Sequence, residues 1–231
     1  MNIKTQSKAA RDSLQQGIYK VINPFVRLLI RIGFTPNMVT TVGFLGNLAA
    51  AAVFVLAGVK ARPDYDGYYL LTLGGALIIG FSLFDMLDGQ VARLGGMAST
   101  FGAMYDSVLD RYCELLTLGG ISFYLIQVGY LTGALVTFVA LIGSIMVSYV
   151  RARAEGLGIE CKVGFMQRPE RVVVTALGAL ATGITGQCLD DSSQFDANVI
   201  LIVAMGVIAI FANLTAFARI SHCKKALQAK R

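Results

Sequence analysis

The chain has 231 residues, 55% of them hydrophobic and only 15% charged, where a soluble domain carries roughly 25% charged residues. That balance excludes an ordinary soluble enzyme and leaves room for one domain of about five to seven membrane spans. The net charge of +6 suits anionic lipid on one leaflet, and no pattern in it points to nucleic acid.

In chain order, residues 1–36 form an N-terminal arm. Its positions 8–33 are predicted to make an amphipathic helix lying in the membrane surface, with Ile18, Val21, Ile22, Phe25, Leu28, Leu29 and Ile32 at helical spacing and basic residues opposite. A plain cytoplasmic helix packed on the domain is the competing reading. Lys4, Lys8, Arg11 and Lys20 interrupt the early apolar residues, so no cleavable signal peptide is expected. Gly33-Phe34-Thr35-Pro36 breaks this helix, and Thr35 or Asn37 caps the next, with Pro36 in its first turn.

Six apolar segments follow, near 37–59, 69–93, 101–129, 132–153, 170–187 and 197–218. The expected fold is therefore an all-α integral membrane protein: six transmembrane helices preceded by an amphipathic surface helix. Its domain covers 37–218, and 219–231 is read as a basic cytoplasmic tail. Lys and Arg gather in the arm, at 151–171 and in the tail, whereas Asp64, Asp66, Asp190 and Asp191 mark the opposite loops. The positive-inside rule then puts both termini on the cytoplasmic side, together with the ends of spans two and three. Tyr68, Tyr69, Tyr124, Tyr130 and Tyr149 supply any aromatic belt, because tryptophan is absent. Cys113, Cys161, Cys188 and Cys223 show no C-x-x-C spacing, which argues against a disulfide or zinc framework. His222, the single histidine, lies in the basic tail and receives no catalytic role.

The chemistry lies in four aspartates, Asp85, Asp88, Asp106 and Asp110. Facing lipid, four acids would cost on the order of 10 kcal/mol, so they must face water, cations or each other. At 100° per residue, Asp85 and Asp88 share one helix face, as do Asp106 and Asp110. The seven-residue connection 94–100 makes the two helices antiparallel neighbours. Three or four carboxylates converging there would repel strongly, and a hard divalent cation would resolve the repulsion. A polar network or a divalent-cation transport pathway is the other reading. Transporters, however, usually place polar groups mid-membrane in several spans, and spans one, four, five and six have apolar middles.

The same string resembles the signature of the CDP-alcohol phosphotransferase family, D-x-x-D-G-x-x-A-R-x8-G-x-x-x-D-x-x-x-D. Asp85, Asp88, Gly89, Ala92, Arg93, Gly102, Asp106 and Asp110 match all its fixed positions. The resemblance implies transfer of a phosphatidyl-type group from a CDP-linked lipid (CDP-diacylglycerol or a CDP-archaeol type) to an alcohol, with release of CMP. It also implies a homodimer, while the charge pattern puts the aspartate site on the cytoplasmic side. Asp85, Asp88 and Asp106 would bind two Mg²⁺ or Mn²⁺ ions, with Asp110 touching one and acting as general base. Gly89, Ala92, Arg93 and Gly102 would shape the nucleotide pocket, and Asn37 and Thr40, in Thr35-Pro36-Asn37-Met38-Val39-Thr40, would approach the nucleotide. Glu114, one turn beyond Asp110, either shares its proton network or serves as a partner for Arg111 or a buried hydrogen-bonded acid.

Acceptor choice is expected at 151–171, where Arg151, Arg153, Lys162, Arg168 and Arg171 stand. Arginine forks suit a phosphate monoester. The strings S-Y-V-R-A-R-A-E and Q-R-P-E-R are similar to those of prokaryotic members that make phosphatidylinositol phosphate, which implies inositol 1-phosphate as acceptor. Arg153, Arg168 and Arg171 are the expected phosphate contacts, with Arg151 a further candidate and Glu170 orienting them. Glycerol 3-phosphate or another small alcohol is the alternative acceptor.

Overall fold

The computed structural model describes residues 22–61, 67–189 and 195–229, and every regular element among them is an α-helix. In order these are α1 (22–31), α2 (Pro36–Lys60), α3 (Tyr68–Ser82), α4 (Phe84–Leu94), α5 (Thr100–Gln127), α6 (Leu131–Glu155), α7 (Arg168–Cys188) and α8 (Asn198–Gln228). The described residues divide into two compact units, one of 22–43 with 83–109, the other of the remainder.

The first unit holds α1, the start of α2, α4 and the start of α5. Its core is small: Val26, Leu29, Val39, Leu87 and Val91, with Phe34, Phe84 and Met97 packed on it. Gly33 ends α1 in the left-handed region (φ 86°), which lets the Phe34 amide reach the Leu29 carbonyl at 2.9 Å. Thr35 then caps α2 through the Met38 amide at 3.3 Å, with Pro36 in the first turn as the sequence predicts. Ser99 caps α5 in the same way, accepting from the Gly102 amide at 2.9 Å. Of the predicted 8–33 helix, residues 8–21 lie outside the described residues, and the rest is helical over 22–31.

The second unit packs around Phe54, Leu71, Ile121, Tyr124, Leu125, Leu201, Met205 and Ile208. In lipid, helices gain little from hydrophobic burial against each other, so small residues that permit close approach carry the packing. Gly75 and Gly183 do this between α3 and α7, Gly178 between α7 and α8, and Gly74 receives the Phe54 ring of α2. The loop 156–167 is held from several sides. The Arg219 Nε donates to the Val163 carbonyl at 2.8 Å and its Nη1 to the Val147 carbonyl at 2.6 Å, while the Met166 amide donates to Thr215 Oγ1 at 3.2 Å.

Among the described residues, four stretches are long and apolar enough to cross a membrane: α2, the Tyr68–Leu94 run of α3 and α4, α6 and α8. The other two predicted segments, α5 and α7, are helical but lie outside that set. Asp106, Asp110, Arg111 and Glu114 lie between the first turns and the middle of α5, and Arg168, Glu170 and Arg171 open α7. Two boundaries differ from expectation. The 69–93 segment is two helices parted at Leu83, where the Ser82 hydroxyl bonds back to the Ile78 carbonyl, a contact that bends helices. The expected start of a tail at 219 falls inside α8, and Arg219 is buried.

A Cβ at Gly183 would lie 2.5 Å from the Thr72 nitrogen and 2.7 Å from the Tyr68 carbonyl oxygen, whereas one at Gly80 would meet nothing. Gly183→Ala is expected to destabilise the detergent-solubilised protein by about 1–3 kcal/mol. Gly80→Ala should be neutral or slightly stabilising. Paired thermal melts check the contrast.

Candidate active site

In the first unit, α4 is a short helix of eleven residues with Asp85 in its first turn, where the helix dipole favours negative charge. One turn on, Asp88 is only 6% exposed. Thr40 on α2 donates to Asp88 Oδ2 at 2.7 Å. The charges of Asp106 and Asp85 both act on the Asp88 carboxylate. A cavity of about 260 Å³ opens beside it, and eight of its thirteen lining residues are Asn37, Thr40, Asp88, Gly89, Ala92, Arg93, Gly102 and Asp106. All eight are residues singled out by the sequence. Gly102 is where this space would be lost, since a Cβ there would lie 3.0 Å from Ser99 Oγ and 3.1 Å from Asn37 Oδ1. The neighbouring hydroxyls of Thr41 and Tyr105, 3.1 Å apart, are a link between α2 and α5 that sequence reasoning missed.

Asp110 follows Asp106 by one turn of α5 and belongs to the second unit. Arg168, the first residue of α7, reaches Asp110 Oδ1 through Nη2 at 2.6 Å, and Arg111 Nη1 lies 3.7 Å from Oδ2. Pro169 follows Arg168 at the start of this helix, after an extended Gln167, so the fixed proline φ sets the turn that presents Arg168.

Arg171 is placed differently from the other arginines. It is 2% exposed, and it grips Glu114 with both arms of its fork, Nε to Oε1 at 2.5 Å and Nη2 to Oε2 at 3.0 Å. Its Nη1 donates to the Met166 carbonyl at 3.1 Å. An expected phosphate contact is thus enclosed by protein acceptors, and Glu114 is a largely buried, hydrogen-bonded acid, with Arg171 rather than Arg111 as its bonded partner. Arg151 pairs with Glu155 at 2.9 Å along α6. Arg153 lines a separate groove with Tyr149, Leu157 and Lys224. The structure therefore brings Asp110 and Arg168 together, and it does not gather the four predicted arginines on one point. Arg219 was hidden from sequence reading among the tail cations. Its one signal is its flanks: Thr215 and Cys223, one turn to either side, are uncharged.

The aspartates of the first unit offer only oxygen donors and mutual repulsion, which is the donor chemistry that Mg²⁺ and Mn²⁺ accept. The residues fit such an ion by type. Their side chains stand apart, and among the described residues no three His, Cys, Asp or Glu converge closely enough to hold a metal.

Comparison with known proteins agrees with this arrangement. The family model for CDP-alcohol phosphatidyltransferases matches residues 34–211. Phosphatidylinositol phosphate synthase of Mycobacteroides abscessus is 34% identical over 166 residues, 71% of this chain and 70% of that protein. Archaetidylinositol phosphate synthase of Methanothermobacter thermautotrophicus is 34% identical over 198 residues, 84% of this chain and 90% of the relative. The crystal structure of Mycobacterium tuberculosis phosphatidylinositol phosphate synthase with CDP-DAG bound is similar at TM-score 0.73 and 28% identity, over 88% of this chain and 94% of that one. The same enzyme in complex with manganese and citrate gives TM-score 0.73 at 29% identity, over 87% of both chains. With its motif complete and most of its length matched, the chain belongs to the CDP-alcohol phosphatidyltransferase family.

Proposed function

We propose that this protein transfers the lipid-phosphate group of a CDP-linked lipid to inositol 1-phosphate and releases CMP. The observation that carries the reading is the 2.6 Å contact between Arg168 and Asp110, because it puts a phosphate-binding fork beside the carboxylate suited to receive a proton. An acceptor phosphate taken up by Arg168 brings its hydroxyl to Asp110. The new bond joins that hydroxyl oxygen to the lipid-side phosphorus, the bond from phosphorus to the CMP oxygen breaks, and Asp110 takes the proton. An alcohol is far less acidic than a carboxylic acid, so the proton moves in concert with attack.

Asp85, Asp88 and Asp106 are the residues that would hold divalent cations, with Asp110 contributing to one. Such ions, Mg²⁺ or Mn²⁺, supply charge neutralisation at a pyrophosphate and at the departing CMP. Thr40 fixes the Asp88 carboxylate, and Gly102, Gly89 and Asn37 keep the cavity open for a nucleotide. Glu114 and Arg171 brace the start of α7 and so hold Arg168 at its post. The M. tuberculosis relative with CDP-DAG bound, and the same enzyme with manganese, support both halves of this assignment.

The proposal includes six spans, with α5 and α7 crossing inside the bundle, and a homodimer. Both termini and the site lie on the cytoplasmic side. On α1, Phe25 and Leu28 are exposed beside Arg27 and Arg31, with Ile32 exposed in the turn that follows, which supports a helix lying in the membrane surface. Glycerol 3-phosphate is the second acceptor to consider, since its phosphate would satisfy Arg168 equally. A transport role is disfavoured by α2, α6 and α8, which carry no acidic residue in their middles.

Purified protein given CDP-diacylglycerol, Mg²⁺ and inositol 1-phosphate should release CMP. Release with glycerol 3-phosphate but not inositol 1-phosphate would overturn the acceptor. Asp110→Asn should lower turnover by about 10²–10⁴-fold while CDP-lipid binding survives; loss of that binding would make Asp110 foremost a metal ligand. For Arg168→Ala, the acceptor KM should rise about tenfold or more, the loss of a charge-assisted hydrogen bond. An equal rise in the donor KM would instead mark a folding role.

A further inference from the structure

The C-terminal ends of α6 and α8 border a groove that no residue of the aspartate motif enters. Its volume is about 780 Å³, well above that of the cavity beside Asp88. Tyr149, Leu157, Ile220 and Leu227 line it and are exposed despite their apolar bulk. Arg153 and Lys224 are its charged lining residues, and none of its described lining residues is acidic. The inner wall is firm: Ala154 belongs to a buried cluster with Ile159 and Cys161, against which Cys223 packs.

This combination selects its occupant. A small soluble anion has no use for four exposed apolar side chains, and an apolar helix has none for two unanswered cations. A molecule with an anionic head and a long apolar tail uses both, and a membrane supplies such molecules at high local concentration. We infer that the groove binds one anionic glycerophospholipid, its phosphate on Arg153 and Lys224 and one acyl chain along Tyr149, Leu157, Ile220 and Leu227. The inference rests on the membrane-enzyme reading but on none of its catalytic residues. It gives Arg153 a partner other than the acceptor.

Native mass spectrometry of the full chain tests it, after release from nanodiscs of equal phosphatidylglycerol and phosphatidylcholine with identical acyl chains. The wild type should retain phosphatidylglycerol preferentially. Lys224→Gln should cut that preference by about fivefold, the effect of one lysine near an anionic surface. Lys225→Gln, the same charge change one residue outside the lining, should leave it intact. Equal losses in both variants, or none in either, would reduce the groove to diffuse surface charge and overturn the inference. Leu227→Asn should weaken retention of both lipids. If it changes the oligomeric state instead, with lipid retention untouched, the occupant is a second copy of the chain and the inference also fails. Lipid preference without CMP release would sink the catalytic reading alone, and CMP release without preference would sink the groove alone.

Discussion

A carboxylate in a chain built largely of lipid-soluble residues has to be answered by something, and the protein answers its own in two ways. In the second unit the answers are arginines. Arg171 closes on Glu114 with both arms, and Arg168 meets Asp110. Arg171 is 2% exposed, and removing one partner of a buried pair typically costs about 3–5 kcal/mol, so its contact with Glu114 ties the start of α7 to α5. In the first unit, Asp88 accepts from the Thr40 hydroxyl and the Gly89 amide, both neutral donors, and stands in the field of two further aspartates. The proposed divalent cations are the missing counter-charge.

The same demand organises the loop 156–167. Arg219 and Arg171 each spend guanidinium donors on main-chain carbonyls, at Val147 and Val163 and at Met166. A buried arginine that satisfies a turn's carbonyls does the work of secondary structure where none exists. Gly164 completes the fit, since its φ of 108° and the adjacent Thr215 leave no place for a Cβ. The start of α7, and Arg168 with it, is positioned by side chains whose hydrogen bonds run to protein groups.

Much of this was legible in the sequence. The helices and their order follow from apolar segments and turn residues, and eight of the thirteen residues lining the first unit's cavity come directly from the motif and the Thr-Pro-Asn element. What escaped has identifiable causes. The break at Leu83 sits in an unbroken apolar run, and its backbone remains helical (φ −66°, ψ −28°), so only the Ser82 hydroxyl marks it. The Glu114–Arg171 pair spans 57 residues, beyond any periodicity argument. Arg219 looked like a tail cation because positive charge near a membrane end is the commonest pattern there. The small residues Gly74, Gly75, Gly178 and Gly183 were equally compatible with packing inside one protomer or between two. In the structure all four meet neighbours within the chain.

The central claim is that the aspartates of α4 and α5 are answered by a divalent cation. Electron paramagnetic resonance titration of the purified protein with Mn²⁺ tests it without relying on turnover. The account predicts saturable binding in the wild type that weakens at least about tenfold in Asp88→Asn, within the range expected when a ligand or its support is removed. Mn²⁺ binding that is absent in the wild type, or unchanged in the variant, would contradict it.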